Sequence, residues 1–228
     1  MTLFKFVFKR FFKYKFNFLL LFGVPFLVLF PVNIEHTFFP IGFQFYSMII
    51  MIVSVRLAAI IAEDRMSKVL IRIGVAPLTH FKYLFQNLLA YSILLIGQNA
   101  LVILVGVILY NQEITNPLGV FIIYSVFAIT SIGFALAWYA FFRNKETAFQ
   151  IAIAAIVAIS MLGGLFWPVE IMPDLLQKIA RLVPSYWVYE SMRLLNNGAN
   201  LIEFVMPLLV LLLFAIIFIL LGSRRKMV

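Results

Sequence analysis

Residues 118–142 read LGVFIIYSVFAITSIGFALAWYAFF, and this run of 25 residues without a charged side chain decides the fold class. A helix needs about 20 apolar residues to cross the hydrocarbon core of a bilayer, so the run is predicted to span a membrane. By the same rule, further spans lie on either side of it, at 16–32, 41–61, 83–110, 148–167 and 204–222. The sequence therefore predicts an all-α integral membrane protein, with six transmembrane helices in a single domain over residues 1–228.

The overall composition agrees with a membrane protein and excludes a soluble one. Hydrophobic residues make up 64% of the chain and charged residues 12%, which leaves too little polar surface to cover a soluble core. The formal net charge is +9, but the basic residues flank the apolar segments, so they indicate membrane topology rather than nucleic-acid binding. The chain has no cysteine, which excludes disulfides and thiolate metal sites.

The distribution of Lys and Arg predicts the orientation, because short cytoplasmic loops carry an excess of basic residues. With the N-terminus in the cytoplasm, fourteen basic residues fall on the cytoplasmic side and three on the outside. The three outside residues are Lys178, Arg181 and Arg193. We therefore expect a multi-pass protein of the cell membrane, with both termini in the cytoplasm and residues 168–203 outside.

The first fifteen residues, MTLFKFVFKRFFKYK, alternate basic and aromatic side chains. Lys5, Lys9 and Lys13 are four residues apart and form one helical stripe, while phenylalanines occupy much of the remaining surface. This pattern favours an interfacial helix over 1–15, with its rings in the acyl boundary and its ammonium groups on lipid phosphates. The alternative is a basic tail that only sets the topology.

The segment between the second and third spans, AEDRMSKVLIRIGVAPLTHFKYLFQ at 62–86, has amphipathic helical spacing over 62–80. A helix fixed between two spans is well placed to receive force from a cytoplasmic partner, and a solvated connector is the alternative. The candidate coupling residues are Glu63, Asp64, Arg65, Lys68, Val69, Arg72 and Ile73.

The longest outside segment follows the fifth span and reads GGLFWPVEIMPDLLQKIARLVPSYWVYESMRLLNNG, residues 163–198. Prolines divide it, because each removes a backbone donor and clashes with the preceding turn. The pieces are apolar, so over 168–198 we expect two short helices, at about 172–182 and 185–195, in or near the outer leaflet. A plain surface loop is the alternative. The candidate outer-gate residues are Phe166, Pro168, Pro173, Pro184, Tyr186, Glu190 and Arg193.

These two segments resemble the permeases of ABC type-2 exporters. In that family a glycine-rich end of the fifth helix leads through an aromatic-Pro step, a Met-Pro, an amphipathic helix and a second proline to an Arg-containing helix. Residues 70–77, LIRIGVAP, are similar to the phrase that closes the family's coupling region. Met66–Ser67 stand where the family usually has Gly-Thr.

The resemblance implies that the permease pairs with itself or with a sister permease and binds two cytoplasmic ABC ATPase subunits. Segments 1–15 and 62–80 would contact the ATPases, and the outer helices would form part of a gate. The sequence contains no Gly-x-x-x-x-Gly-Lys phosphate loop, so we expect ATP and magnesium on the partner ATPase and neither a cofactor nor a catalytic residue on this chain. His36 and His80 are too far apart in the topology to form a metal site.

Several polar residues lie inside the predicted spans: Gln98, Asn99, Thr130 and Ser131. They mark either a polar pathway or hydrogen bonds between helices.

Two other transporter classes compete with an exporter permease. One is the substrate-binding subunit of an energy-coupling-factor importer, which would not need the coupling helix or the long outer segment. The other is a secondary transporter, against which the absence of Asp and Glu within the spans argues. An assembly or anchoring protein is a further alternative. The apolar spans favour an amphipathic cargo such as a drug, a peptide or a lipid-like molecule.

Overall fold

The computed structural model describes residues 41–66, 80–110, 116–142 and 144–224, together with single positions at 11, 19, 23 and 114. Within this part of the chain the regular structure is entirely helical, in agreement with the predicted class. One 3-10 turn, Val169–Ile171, accompanies seven α-helices. The α-helices are α1 Ile41–Met66, α2 His80–Tyr110, α3 Pro117–Phe141, α4 Lys145–Leu162, α5 Asp174–Ala180, α6 Pro184–Asn196 and α7 Leu201–Arg224.

Five of these helices, α1, α2, α3, α4 and α7, are long and apolar enough to cross a bilayer. They correspond to the second to sixth predicted spans. The first predicted span, 16–32, and the interfacial helix predicted over 1–15 lie outside the described residues, apart from single positions.

Helix α3 lies at the centre of the described bundle, where α1, α2 and α7 all pack against it. Small residues allow α7 to approach closely: Gly133 faces Ala215, and Gly222 faces Ala137. The Thr130 hydroxyl donates to the carbonyl of Leu211 over 2.8 Å. Close backbone approach at small residues and hydroxyl bonds between helices stabilise membrane bundles, where the surrounding lipid is as apolar as the side chains.

An aromatic group joins α1 to α2 and α3 near the predicted outer ends of these helices. The Tyr46 ring packs edge-on against Tyr124, with ring centroids 5.0 Å apart. The Tyr46 hydroxyl donates to Oδ1 of Asn99 over 2.6 Å, and the Tyr124 hydroxyl donates to the carbonyl of Phe43. The two hydroxyl groups therefore find acceptors on neighbouring helices, as the bilayer interior requires, whereas Nδ2 of Asn99 has no hydrogen-bond partner among the described residues.

Two boundaries differ from the sequence expectations. Helix α1 continues to Met66, so residues 62–66, placed in a separate coupling helix, extend the membrane helix instead. Helix α4 ends at Leu162, whereas the fifth span was predicted to reach 167. The chain turns at Gly164, whose φ of 89° is a left-handed conformation that ends a right-handed helix.

Candidate functional site

We call residues 163–200 the outer segment; it connects α4 to α7. It begins at a Gly-Gly step that brings α6 onto the end of α4. A Cβ atom built on Gly163 would lie 2.6 Å from Cβ of Ser185 and 2.7 Å from the backbone nitrogen of Tyr186. The Ser185 hydroxyl donates to the carbonyl of Ile159 over 2.7 Å. Only glycine at 163 permits this close packing between the first turn of α6 and the last turn of α4.

The three prolines each stand at the start of a helical element. Pro168 precedes the 3-10 turn, Pro173 precedes α5, and Pro184 is the first residue of α6. At the start of a helix the backbone N–H has no carbonyl acceptor within the helix, so a proline there loses no hydrogen bond. The fixed φ of proline also favours helix initiation. The prolines therefore divide the outer segment into a 3-10 turn and two short helices, at 174–180 and 184–196 rather than at 172–182 and 185–195.

An ionic network ties these pieces together. Arg193 makes a two-pronged contact with Glu190, with Nε–Oε2 at 2.9 Å and Nη2–Oε1 at 2.7 Å. Its Nη1 lies 3.9 Å from Oε1 of Glu170 on the 3-10 turn, and Oε2 of Glu170 accepts from the Tyr189 hydroxyl over 3.0 Å. Burial and the bond to Glu170 raise the pKa of Tyr189 well above its usual value. The network thus fastens α6 to the 3-10 turn.

Further contacts hold the outer segment on itself and on α1. The Trp187 indole donates to the carbonyl of Arg181 over 2.9 Å, and the ring of Tyr186 packs edge-on against the Trp187 ring at 5.2 Å. The Phe166 ring packs edge-on against Phe45 of α1 at 5.1 Å. The predicted outer-gate residues are therefore brought into one packed unit above α1 and α4.

A small recess, with room for about one water molecule, lies between α1, α3 and α6. Its apolar walls include Phe43, Tyr124 and Met192, and its polar lining includes Ser47, Tyr189 and Arg193. No sequence pattern indicates this recess, because the residues that line it come from segments that are distant along the chain.

The opposite end of the bundle carries a second ion pair. Nζ of Lys145, at the start of α4, lies 3.1 Å from Oε1 of Glu63 in the last turns of α1. The Asn144 side chain caps α4 by accepting from the backbone N–H groups of Glu146 and Thr147. Among the other predicted coupling residues, Asp64 and Arg65 lie on the helical backbone of α1. Lys68, Val69, Arg72 and Ile73 lie outside the described residues, as do Lys5, Lys9 and Lys13.

The polar residues within the spans divide into two pairs. Asn99 and Thr130 form hydrogen bonds between helices, which supports the interhelical interpretation for these two. Gln98 and Ser131 are buried, and their side chains have no hydrogen-bond partner among the described residues. Tyr46, Ser47 and Glu170 also belong to the contacts and the recess described above, although the sequence patterns did not single them out.

Within the described residues, no group of three His, Asp or Glu side chains is placed to hold a metal ion.

Comparison with known proteins identifies related transporters. A family model described as "ABC-2 family transporter protein" matches residues 31–224. The chain is 30% identical over 103 residues to the linearmycin resistance permease protein LnrN of Bacillus subtilis (strain 168), a match that covers 45% of this chain and 27% of LnrN. It is 25% identical over 162 residues to the putative transport permease YvfS of the same organism, covering 68% of this chain and 63% of YvfS. The matched regions thus span less than two thirds of each relative.

Proposed function

This chain belongs to the ABC-2 family of transporter proteins, and on that premise we propose that it is the permease subunit of an ATP-driven exporter. Two permeases, identical or related, form the pathway, and separate cytoplasmic ABC ATPase subunits bind ATP and magnesium. The family implies an association with ABC ATPases. Export, the paired permeases and the orientation in the cell membrane are parts of the proposal.

The outer segment is the observation that carries the proposal. It packs against α7, α3, α4 and α1, so it lies at the end where these helices meet. Its ionic network and its Gly-Gly step hold it as one unit, which is a suitable construction for a gate that opens and closes without unfolding. An importer subunit that receives its ligand from outside would not need this long packed segment at that end.

The cargo that we propose is an amphipathic molecule that is largely apolar. Away from their ends, the described spans contain one charged residue, Arg56 on α1, and the acidic residues Glu146 and Glu203 lie in the first turns of α4 and α7. A strongly charged cargo would therefore find few partners within the spans. One relative is named as a linearmycin resistance permease protein, and a role in resistance is a matching proposal for this chain.

The orientation can be tested in intact cells, because the chain has no cysteine of its own. Leu175, on α5, is 69% exposed, and a cysteine there is expected to react with an impermeant thiol reagent added from outside. A cysteine at position 225 is expected to react only after the cells are opened. Labelling at 225 from outside, or protection at 175, would show that the orientation is inverted.

Charge reversal tests the inner end of the bundle. Lys145→Glu places two carboxylates where an ion pair stood, and we expect a several-fold drop in export while ATP hydrolysis continues. The free energy of unfolding should change by less than about 1 kcal/mol, because both side chains of the pair are partly exposed to solvent. The double variant Glu63→Lys/Lys145→Glu restores the pair in reverse and should recover export. If the double variant exports no better than the single one, the ion pair has no part in coupling.

The gate itself is tested by a reversible cross-link. Leu182 is 72% exposed on the outer segment, so Leu182→Cys can be joined to the same position in a second permease by a bifunctional thiol reagent with a cleavable linker. Cargo is first chosen from amphipathic compounds that stimulate ATP hydrolysis by the reconstituted complex. The cross-link is expected to block export of that cargo while the ATPase stays bound, and cleavage of the linker should restore export. Normal export with the linker intact would exclude a gating role.

A further inference from the structure

Pro207 lies inside α7, in a helix that begins at Leu201 and continues to Arg224. Its ring nitrogen carries no hydrogen, so the carbonyl of Glu203, four residues earlier, has no backbone donor within the helix, and the ring crowds that carbonyl. The other prolines in the part of the chain that the structure describes begin or directly precede a helical element, where no such bond is lost. The backbone of α7 is therefore weakened at Pro207.

Beyond Pro207, α7 is joined closely to α3. The Thr130 hydroxyl donates to the carbonyl of Leu211 over 2.8 Å. A Cβ atom built on Gly133 would lie 3.3 Å from the carbonyl oxygen of Ala215, so the two helix backbones are in close contact there. This part of α7 cannot follow a movement of the outer segment without separating from α3.

The first turn of α7 is joined to α6 instead. Only four residues, 197–200, connect the two helices. The backbone N–H of Ala199 donates back to the carbonyl of Leu194 in α6 over 3.0 Å, and the N–H of Asn200 donates to Oε2 of Glu203 in α7 over 3.2 Å. A connection that is short and bonded to both helices makes the first turn of α7 move with α6.

A movement of α6 must therefore be taken up within α7, between its first turn and Leu211, and Pro207 lies in this interval. We propose that Pro207 is a hinge on which α6 and the first turn of α7 move together relative to the remainder of α7. At its other end the outer segment leaves α4 at Gly164, whose positive φ favours glycine. These two points bracket a lid, residues 165–206. The hinge is a property of one chain, whereas its use in a gate rests on the proposed function.

Double electron–electron resonance measures the bending of α7 directly. Nitroxide labels on Ile202→Cys and Leu221→Cys, both exposed positions, lie on either side of Pro207 in a chain without cysteine of its own. Phe85→Cys and Leu104→Cys form the matched pair, because they have the same spacing in α2, which contains no proline. Each pair would be about 28 Å apart along a straight helix. The labelled chain, in lipid nanodiscs, is diluted with unlabelled chain. The α7 pair is expected to give the broader distribution of distances.

Replacement of the proline tests the cause of the bending. Pro207→Ala supplies the missing N–H and should narrow the α7 distribution to the width of the α2 distribution. Hydrogen exchange in the peptide spanning 203–208 should slow about fivefold, the equivalent of one net hydrogen bond of about 1 kcal/mol. Pro207→Val is a second variant, because it supplies the same N–H with a larger side chain at this buried position. Pro117→Ala is the matched control and should change neither measurement, since Pro117 stands at the start of α3.

The outcomes separate the hinge from export. Equal widths for the two label pairs in the wild type, or an α7 distribution that both Pro207 variants leave unchanged, would overturn the hinge. A narrowed distribution together with slower export supports both the hinge and the gate. A narrowed distribution with undiminished export supports the hinge and contradicts the gate of the proposed function.

Discussion

Replacing Gly163 by alanine is expected to lower the free energy of unfolding by about 2–3 kcal/mol and to abolish export. The added methyl group would lie 2.6 Å from Cβ of Ser185 and 2.7 Å from the backbone nitrogen of Tyr186. A backbone atom cannot move aside without shifting the whole of α6, and overpacking of this kind costs about 1–3 kcal/mol. The shift would also break the bond from Ser185 to the carbonyl of Ile159 and separate the outer segment from α4.

Thermal unfolding in detergent measures the effect, because Trp167 and Trp187 lie in the outer segment and report on its packing. Gly97→Ala is the matched control. Gly97 lies within α2, and a Cβ atom there would meet nothing within 4 Å, so alanine should be neutral or slightly stabilising. If Gly163→Ala unfolds at the same temperature as Gly97→Ala, the close packing of α6 on α4 is wrong.

Arg193→Gln is expected to have the second largest effect, with a loss of about 1–3 kcal/mol in the free energy of unfolding. The substitution removes both prongs of the contact with Glu190 and leaves the carboxylates of Glu170 and Glu190 near each other without a cation. The partial exposure of the group moderates the loss, because water screens the remaining charges. The 3-10 turn would then lose its tie to α6, and export should fall with it.

Two companion variants separate charge from geometry. Arg193→Lys keeps the positive charge but cannot make the planar two-pronged contact, so its stability should fall between that of the wild type and that of Arg193→Gln. Arg181→Gln removes an exposed arginine from the same segment and should change stability by less than about 0.5 kcal/mol. Equal stability of the Arg193 and Arg181 variants would contradict a structural role for the network.

The predicted spans rested on a strong physical signal. A run such as 118–142 without charge has no stable place in water, so its membrane location follows from composition alone, and α3 occupies nearly the same residues. The end of the fifth span at Gly163 was harder to place, because Leu165, Phe166 and Trp167 continue the apolar run. Hydrophobicity cannot distinguish an apolar turn from one more helical turn, whereas the positive φ of Gly164 does.

The outer segment shows which contacts local sequence patterns predict and which they do not. Proline positions predicted that the segment would break into short helices, and the i,i+3 spacing of Glu190 and Arg193 allowed their pairing, because both are local properties. The bond between Glu170 and Tyr189 joins residues that are 19 apart, and that between Tyr46 and Asn99 joins residues that are 53 apart. Neither has a local signal, since each depends on how separate helices pack. The recess lined by Ser47 could not be predicted for the same reason.

Under the proposed function, force from the cytoplasmic side would reach the proposed gate through α4. The pair between Glu63 and Lys145 links the inner ends of α1 and α4. Helix α4 then leads directly to the Gly-Gly step that carries α6. A displacement of the inner end of α4 would therefore be passed to the outer segment along a single helix.

Copurification from native membranes is the most direct test of an ATP-driven permease. The tagged chain is extracted in mild detergent, and the bound proteins are identified and quantified by mass spectrometry. The expected result is an ABC ATPase subunit in equimolar amount with the chain, in a complex that hydrolyses ATP. Recovery of the chain without any ABC ATPase, from membranes in which it is active in transport, would contradict the proposed function.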